Sequence, residues 1–492
     1  MTRTLASIRA PATNKVTAML ALCLGALLAF RVLALAFAGT DLFFDEAQYW
    51  SWSRDLAFGY FSKPPLTAWV IAGFTGLCGD GEFCVRLASP VLYTLAALFI
   101  YLAGKALYDA RIGFWSALVF ATLPGISFSS GLISTDVPLL LFWSLALFAW
   151  IRLVETRAWS WALLVGIALG LGLMGKYAMI YFLGCALVSM AASPQPRWLL
   201  RDAKGAAVLG LAALIVLPNV LWNLDNGWIT FGHTAANANW GGSFLKPLKL
   251  LEFLGSQFGL FGPVLMAALI AITIGAARRG ADEKARLLLS FSLPVIALIA
   301  VQALLSRAHA NWAATAYPAA TILVTATLLA RDYRRAFAAS LALHGGVLLV
   351  LAGAAVLAPS LSFPGRLDPF ARVLGWRETA DSVDGVLQGR PFGTLLTEDR
   401  LVTAEMLYYL RQSRVPIRSW RPGEAPRDHF EFSRPFAAGA GEPVLLVSLR
   451  ADTRHVSDRF ARAEALGSRR VAAGPKSDRS VYLTLLSGYK GR

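Results

Sequence analysis

"VTAMLALCLGALLAFRVLALAFAGTDLFFDEAQYW", Val16 to Trp50, decides how the whole chain is read. Its first 24 residues carry one charge, Arg31, and are long enough to cross a bilayer, which takes about 20 apolar residues at the 1.5 Å helical rise. Three carboxylates, Asp41, Asp45 and Glu46, follow at once. Ala36-Phe37-Ala38 resembles a signal-peptidase site, but the apolar run is too long for a signal peptide's core and contains Arg31, so the segment is expected to remain as a membrane helix. Arg31 either serves function or pairs with a carboxylate on a neighbouring helix, because a charge at membrane depth faces protein or a polar cavity.

Comparable apolar runs recur to Pro359. The approximate spans are 17–39, 85–104, 112–130, 137–151, 159–175, 177–193, 206–222, 250–276, 287–305, 313–330 and 337–358, about eleven in all. The chain is 56% hydrophobic and 15% charged with a mean hydropathy of +0.55. That excludes an ordinary soluble domain, which is about one quarter charged. Alternate loops are basic: Arg3, Arg9 and Lys15; Lys105 and Arg111; Arg152 and Arg157; Arg197, Arg201 and Lys204; Arg278 and Arg279; Arg331, Arg334 and Arg335. Cytoplasmic loops retain positive charge, so these face the cytoplasm and Asp41 to Cys84 faces outward. The net charge of +16 is therefore topological, with anionic membrane lipid as its partner. It does not point to nucleic acid, since the basic residues are scattered over loops rather than gathered on one face.

After Pro359 the texture changes to polar sequence with short β-type runs, "FGTLLT" at 392–397, "PVLLVS" at 443–448 and "SVYLTLL" at 480–486, and a helical pattern from Leu401 to Arg411. The expected architecture is mainly α: a polytopic membrane domain over 1–359, with an outer loop at 40–84, and a small α/β domain outside the membrane over 360–492. "GLGLMGK", Gly170 to Lys176, spells a dinucleotide fingerprint, but no strand precedes it. Gly166 and Gly170 are spaced for close helix packing instead. Cys78 and Cys84 flank Gly79-Asp80-Gly81 in the outer loop, either as a disulfide or as two free thiols.

The unusual polar residues collect on the outer face: Asp45, Glu46, Lys63, Asp136, Lys176, His233, His309 and Asn311, with Trp312 and Tyr317 beside them. Tyr49, Trp50 and Trp52 suggest a short helix in the membrane interface. Pro64 and Pro65 fix the chain behind Lys63, which either grips an anion or anchors at lipid headgroups. Asp136 is either a site carboxylate or the N-cap of a helix starting at Val137. His233 and His309 could ligate a metal or sit as satisfied interfacial histidines.

"FFDEAQYW", "FSKPPL", "STDVPLLLFW", "GLMGKYAMI", "PNVLWNLDNGW" and "HANWAATAYP" together resemble the bacterial lipid-linked glycosyltransferases of the GT-C fold. That group contains aminoarabinose–lipid A transferases and is related to protein O-mannosyltransferases. The resemblance covers most of residues 17–330. It implies an inner-membrane enzyme acting on the periplasmic side, with an undecaprenyl-phosphate-linked sugar as donor and lipid A or another envelope molecule as acceptor. It also implies inversion at the sugar, with Asp45 as catalytic carboxylate and Asp136 in the same cavity. Lys63 and Lys176 fall at donor-phosphate positions, and Glu46, His233, His309, Asn311 and Tyr317 at cavity positions. No cofactor is required, though a divalent metal is possible: aminoarabinose transferases carry a metal-associated Glu before the Lys-Pro-Pro lysine, where this chain has Ser62.

The chemistry suits these residue types. Sugar transfer from a polyprenyl phosphate needs a base for the acceptor hydroxyl and cations for the departing phosphate. Protein O-glycosylation is the rival reaction. A lipid or sugar transporter is the rival class, but such proteins show paired halves and midplane charges, whereas here no repeat is evident, Arg31 apart there is no midplane cluster, and the charged residues lie at one face.

Overall fold

A computed structural model describes residues 6–238, 245–363 and 368–491 of the chain. Arg3 and the end of the outward loop, Asn239-Trp240, lie outside those residues. Two compact units emerge. The first comprises residues up to Leu35, Lys63–Thr67 and Arg86–Ala352; the second comprises Ala36–Ser62, Ala68–Val85 and Gly353–Arg492.

The first unit is helical. Among the described residues seven helices are long and apolar enough to cross a membrane: Lys15–Ala36, Glu82–Leu107, Asp136–Thr156, Ala203–Asp225, Glu283–Leu305, Ala310–Ala330 and Arg334–Ser360. Their surroundings differ. The Asp136–Thr156 and Ala310–Ala330 segments are 72% and 78% buried, whereas Ala203–Asp225 and Arg334–Ser360 are only 17% and 11% buried. An apolar helix with bare sides is stable only where lipid covers it, so the first two are central and the latter two face lipid.

Several expected spans are interrupted. Residues 250–276 do not form one rod: Pro247–Phe261 and Pro263–Arg279 meet at a 114° bend. Gly262 at the corner has φ +89°, and a side chain there would collide with His344. Pro263 supplies no N–H to continue the helix. Pro124 likewise splits the 112–130 stretch into Ala110–Thr122 and Pro124–Ser129. Trp159–Gly175 and Tyr177–Ala192 are shorter apolar helices.

Gly166 and Gly170 work as their spacing predicts. A Cβ at Gly170 would stand 2.7 Å from Ile215, and one at Gly166 would stand 3.0 Å from the carbonyl of Val208, so the two helices approach at backbone distance. Arg31 is 4% exposed and pairs with no carboxylate among the described residues; its guanidinium donates to the carbonyl of Ala121. That carbonyl lies where Pro124 ends the helical ladder, and a cation at a helix C-terminus is favourable.

The second unit carries a five-stranded sheet in the order β2-β1-β3-β5-β4. The strands are β1 (Thr394–Thr397), β2 (Ile417–Ser419), β3 (Val444–Ser448), β4 (Phe460–Ala472) and β5 (Asp478–Tyr489). β1 runs parallel to both β2 and β3, and β3-β5-β4 is antiparallel. The continuous apolar runs of β1 and β3 are buried throughout, as expected of central parallel strands. One core gathers Trp376, Leu395, Met406, Leu445 and Leu483 on one side of the sheet.

The outer loop is not simply interfacial. The Phe44–Ser53 helix forms as its aromatic pattern suggested, but Tyr49, Trp50 and Trp52 are at most 5% exposed. Trp52 stacks on Tyr60 at 4.5 Å, and Trp50 meets Tyr408 edge-on at 4.9 Å. These rings therefore build the core of the second unit instead of lying among headgroups. Backbone bonds from Gly39 to Ala355 and Asp41 to Val373 stitch the loop to the C-terminal segment. Cys78 and Cys84 are joined as a disulfide, which resolves that alternative.

Candidate active site

In the first unit the helix begins at Asp136 itself, with Thr135 as the N-cap residue, which corrects the capping alternative. The Asp136 side chain is occupied elsewhere. Its Oδ1 accepts from Lys176 Nζ at 2.6 Å and its Oδ2 from Asn311 Nδ2 at 2.6 Å. Asp136 is 5% exposed, while Asn311 lies at the surface, so a buried carboxylate joins a membrane-helix terminus to an accessible turn.

That turn, Ala310–Ala316, is itself fixed. Gln257 Nε2 donates to the Ala310 carbonyl at 3.2 Å, and the Tyr317 hydroxyl donates to Gln257 Oε1 while its ring stacks on Phe261. Tyr317 is 4% exposed and supports the turn from below. His309 precedes the turn. Burial, and then the positive charges of Arg307, Lys176 and Lys63, hold its imidazole below the ordinary histidine range. Cations from three separate loops thus reinforce what burial does, favouring the neutral imidazole of His309. Lys63 is half-buried between buried Ser62 and buried Pro64, so its stem is held while its charge joins this group. His233 lies on the Ile229–Ala238 helix and shares a hydrogen bond with Asn237 at 3.2 Å.

In the second unit Asp45 occupies the first turn of the Phe44–Ser53 helix. Its Oδ1 accepts from Arg400 at 2.5 Å, and the same guanidinium lies over the Phe44 ring at 4.8 Å. Asp45 is 37% exposed and Arg400 30%, so the carboxylate is oriented yet still reachable. Glu46 is 1% exposed and accepts the Phe43 N–H at 2.9 Å. It fastens the start of the helix and holds Asp45 in place. Asp41 accepts the Trp376 N–H at 2.7 Å; burial raises its carboxyl above the ordinary range despite that bond.

Residues 62–222 match the family model described as dolichyl-phosphate-mannose-protein mannosyltransferase. The lipid A galacturonosyltransferase RgtD of Rhizobium johnstonii is 34% identical over 403 residues, which is 82% of this chain and 85% of that protein. The chain belongs to the GT-C glycosyltransferases. An undecaprenyl phosphate-α-4-amino-4-deoxy-L-arabinose arabinosyl transferase of Pseudomonas savastanoi is 32% identical over 218 residues, 40% of each chain. The fold matches that of ArnT from Cupriavidus metallidurans bound to undecaprenyl phosphate, with a TM-score of 0.68, 17% identity and coverage of 95% and 98%. This transferase is thus a multi-pass membrane enzyme with a small C-terminal sheet domain.

Among the described residues no three His, Cys, Asp or Glu side chains are grouped as a bound metal would require, and a buried serine stands before Lys63. That donor set does not fit a divalent ion, and no step below is routed through one. Sequence reasoning missed Arg400, Gln257 and Arg307. Arg400 had a local signal, since "TEDR" puts charged residues at the end of an apolar β run, where an α/β domain exposes its functional loops. Gln257 had none, because a lone amide in an apolar helix gains meaning only from the partner across from it.

Proposed function

We propose that this transferase moves a sugar from a polyprenyl phosphate of the undecaprenyl type to lipid A on the periplasmic side of a bacterial inner membrane. The observation that carries the reading is Lys176 held at 2.6 Å by buried Asp136, which Asn311 also bonds, with Lys63 and Arg307 adding positive charge around His309. Cations brought from three loops beside membrane helices are the environment a departing lipid monophosphate needs. Among the described residues seven helices are long and apolar enough to cross a membrane, or eight with the bent pair as one span, and shorter apolar helices accompany them. The alternation of basic loops supports a periplasmic C-terminal unit, where the Cys78–Cys84 disulfide is chemically at home.

In the reaction the acceptor hydroxyl oxygen bonds to the anomeric carbon as the bond from that carbon to the phosphate oxygen breaks. Asp45 accepts the hydroxyl proton, and the phosphate leaves as an anion stabilised by Lys63 and Lys176. Attack opposite the leaving group inverts the anomeric centre. Arg400 aims the Asp45 carboxylate, while Asp136 and Asn311 set the position of Lys176. Asp136 is therefore a positioning residue for the lysine. His233, Glu46 and Tyr317 support the surrounding loops.

The similarity to RgtD over 82% of this chain favours a hexuronic acid as the sugar and a glycolipid, rather than a protein, as acceptor. Mass spectrometry of lipid A and of periplasmic proteins from cells with and without the gene tests this. The expected result is loss of one hexuronosyl increment from lipid A alone. An unchanged lipid A profile with a changed glycoprotein profile would reverse the choice of acceptor.

A further inference from the structure

Within the second unit, the loops leaving β1 and β3 go opposite ways. After β1 the chain enters the Arg400–Tyr409 helix and returns as β2 on one side; after β3 it turns through Arg454–Ser457 into β4 and β5 on the other. Neighbouring parallel strands whose connections diverge leave a crevice at their carboxyl ends, the place where open α/β sheets bind ligands. An open surface depression lies beside these strand ends, lined by the exposed side chains of Arg450, Asp452, Arg454, His455 and Asp458.

Its chemistry is built from below. The side chain of Glu398, at the end of β1, is 6% exposed, and its two oxygens accept from Ser448 Oγ, at the end of β3, and meet His455 Nε2. One carboxylate thus ties together both strand ends and the wall of the depression. Arg454 grips Asp452 through two nitrogens, at 2.9 and 2.6 Å, which orients both groups. Among the described residues the Arg450 guanidinium and the Asp458 carboxylate on this depression make no side-chain hydrogen bond, and Asp458 feels the charge of Arg454. An open guanidinium suits an anion and an open carboxylate suits hydroxyl donors, so the pair matches a sugar bearing an anionic substituent.

We propose that this crevice binds a phosphorylated sugar, with Arg450 and Arg454 on the phosphate and Asp458 and His455 on the ring hydroxyls. The segment below it leads directly to Asp45. Glu398 forms the floor, Asp399 caps the next helix by accepting the Leu401 N–H at 2.8 Å, and Arg400 holds Asp45. Occupancy is therefore sensed by the residue that orients the base, a consequence that rests on the role proposed for Asp45; binding itself does not.

The test uses the full chain in nanodiscs and titration calorimetry with N-acetylglucosamine 1-phosphate, N-acetylglucosamine and inorganic phosphate. The sugar phosphate is expected to bind at least about tenfold more tightly than either part. The doubly substituted Arg450→Ala/Arg454→Ala chain should lose about tenfold or more, whereas Asp45→Asn should bind as the unsubstituted chain does, so a wrong catalytic assignment would leave this result standing. Glu398→Gln provides a second variant, expected to weaken binding while the chain remains folded. Nanodiscs containing lipid A distinguish the source: competition assigns the site to the glycolipid headgroup, and retained probe binding without competition assigns it to a soluble sugar phosphate. Equal affinity for sugar phosphate and inorganic phosphate, or binding indifferent to loss of both arginines, overturns the proposal.

Discussion

Replacing Lys176 by Ala should damage the transferase twice, and the two effects can be separated. Asp136 is 5% exposed and is satisfied by two donors at 2.6 Å, so removing Lys176 strips a buried carboxylate of its only described counter-charge while Asn311 still serves one oxygen. Breaking a buried pair costs about 3–5 kcal/mol, and one charge-assisted hydrogen bond about 1.5–3 kcal/mol. With Asn311 retained and the lysine side chain 17% exposed, the expected loss is at the junction of these ranges, about 2–3 kcal/mol. Asp136→Asn removes the stranded charge, so the Lys176→Ala/Asp136→Asn chain should regain most of that stability. Donor use should not return, because the cation at the phosphate is still missing. Thermal unfolding in nanodiscs gives the first quantity and single-turnover transfer from a polyprenyl-phosphate sugar gives the second. Additive losses in the double variant, or transfer restored along with stability, would refute the assignment of both a structural and a catalytic duty to Lys176.

Lys63→Ala should slow transfer by roughly ten- to a hundredfold through loss of one phosphate contact, with Lys63→Arg recovering only part because a planar fork does not replace a compact ammonium group behind two prolines; unchanged turnover in the alanine variant would leave Lys63 as a headgroup anchor. The folded chain favours the neutral imidazole of His309, so the unfolded chain binds the proton first as pH falls. Stability should accordingly decline as pH drops below the ordinary histidine value of 6.5, and His309→Gln should flatten that decline in pH-dependent melting curves. Gly170→Val forces a side chain into Ile215, already 2.7 Å from an ideal Cβ, and should cost about 1–3 kcal/mol or more by overpacking; an unaltered melting temperature would contradict the close helix contact.

How much of this was legible depends on whether a residue's meaning is local. Membrane helices announce themselves by composition, and the glycines of 166–170 by spacing, because both effects act along one segment. The breaks at Gly262-Pro263 and Pro124 were readable as helix breakers but were hidden inside apolar runs whose hydropathy never falls. β1, β3 and β5 carried apolar runs. The β4 strand, "FARAEALGSRRVA", did not, because an edge strand exposed on most positions has no burial pattern to display. The Asp136–Lys176–Asn311 group joins residues up to 175 apart, and the Asp45–Arg400 pair spans 355. Each residue type could be singled out from its loop, but only the fold supplies the partner that fixes its role. Tyr49, Trp50 and Trp52 show the converse: their pattern correctly made a helix, and their burial against Tyr60 and Tyr408 changed what that helix does.

The central claim is that Asp45 takes the acceptor proton, and the most direct measurement is the transfer rate of purified Asp45→Asn. The substitution removes a partly exposed ion pair with Arg400, which contributes little stability, so the protein should fold and retain donor affinity. Asp41→Asn is the matched control, since its amide oxygen can still accept from Trp376. A positioned base contributes about 10² to 10⁴ in rate, and a loss of that size in Asp45→Asn, with Asp41→Asn close to the unsubstituted enzyme, is the predicted result. Near-normal transfer by Asp45→Asn would contradict the account and reduce the Asp45–Arg400 pair to a surface tether.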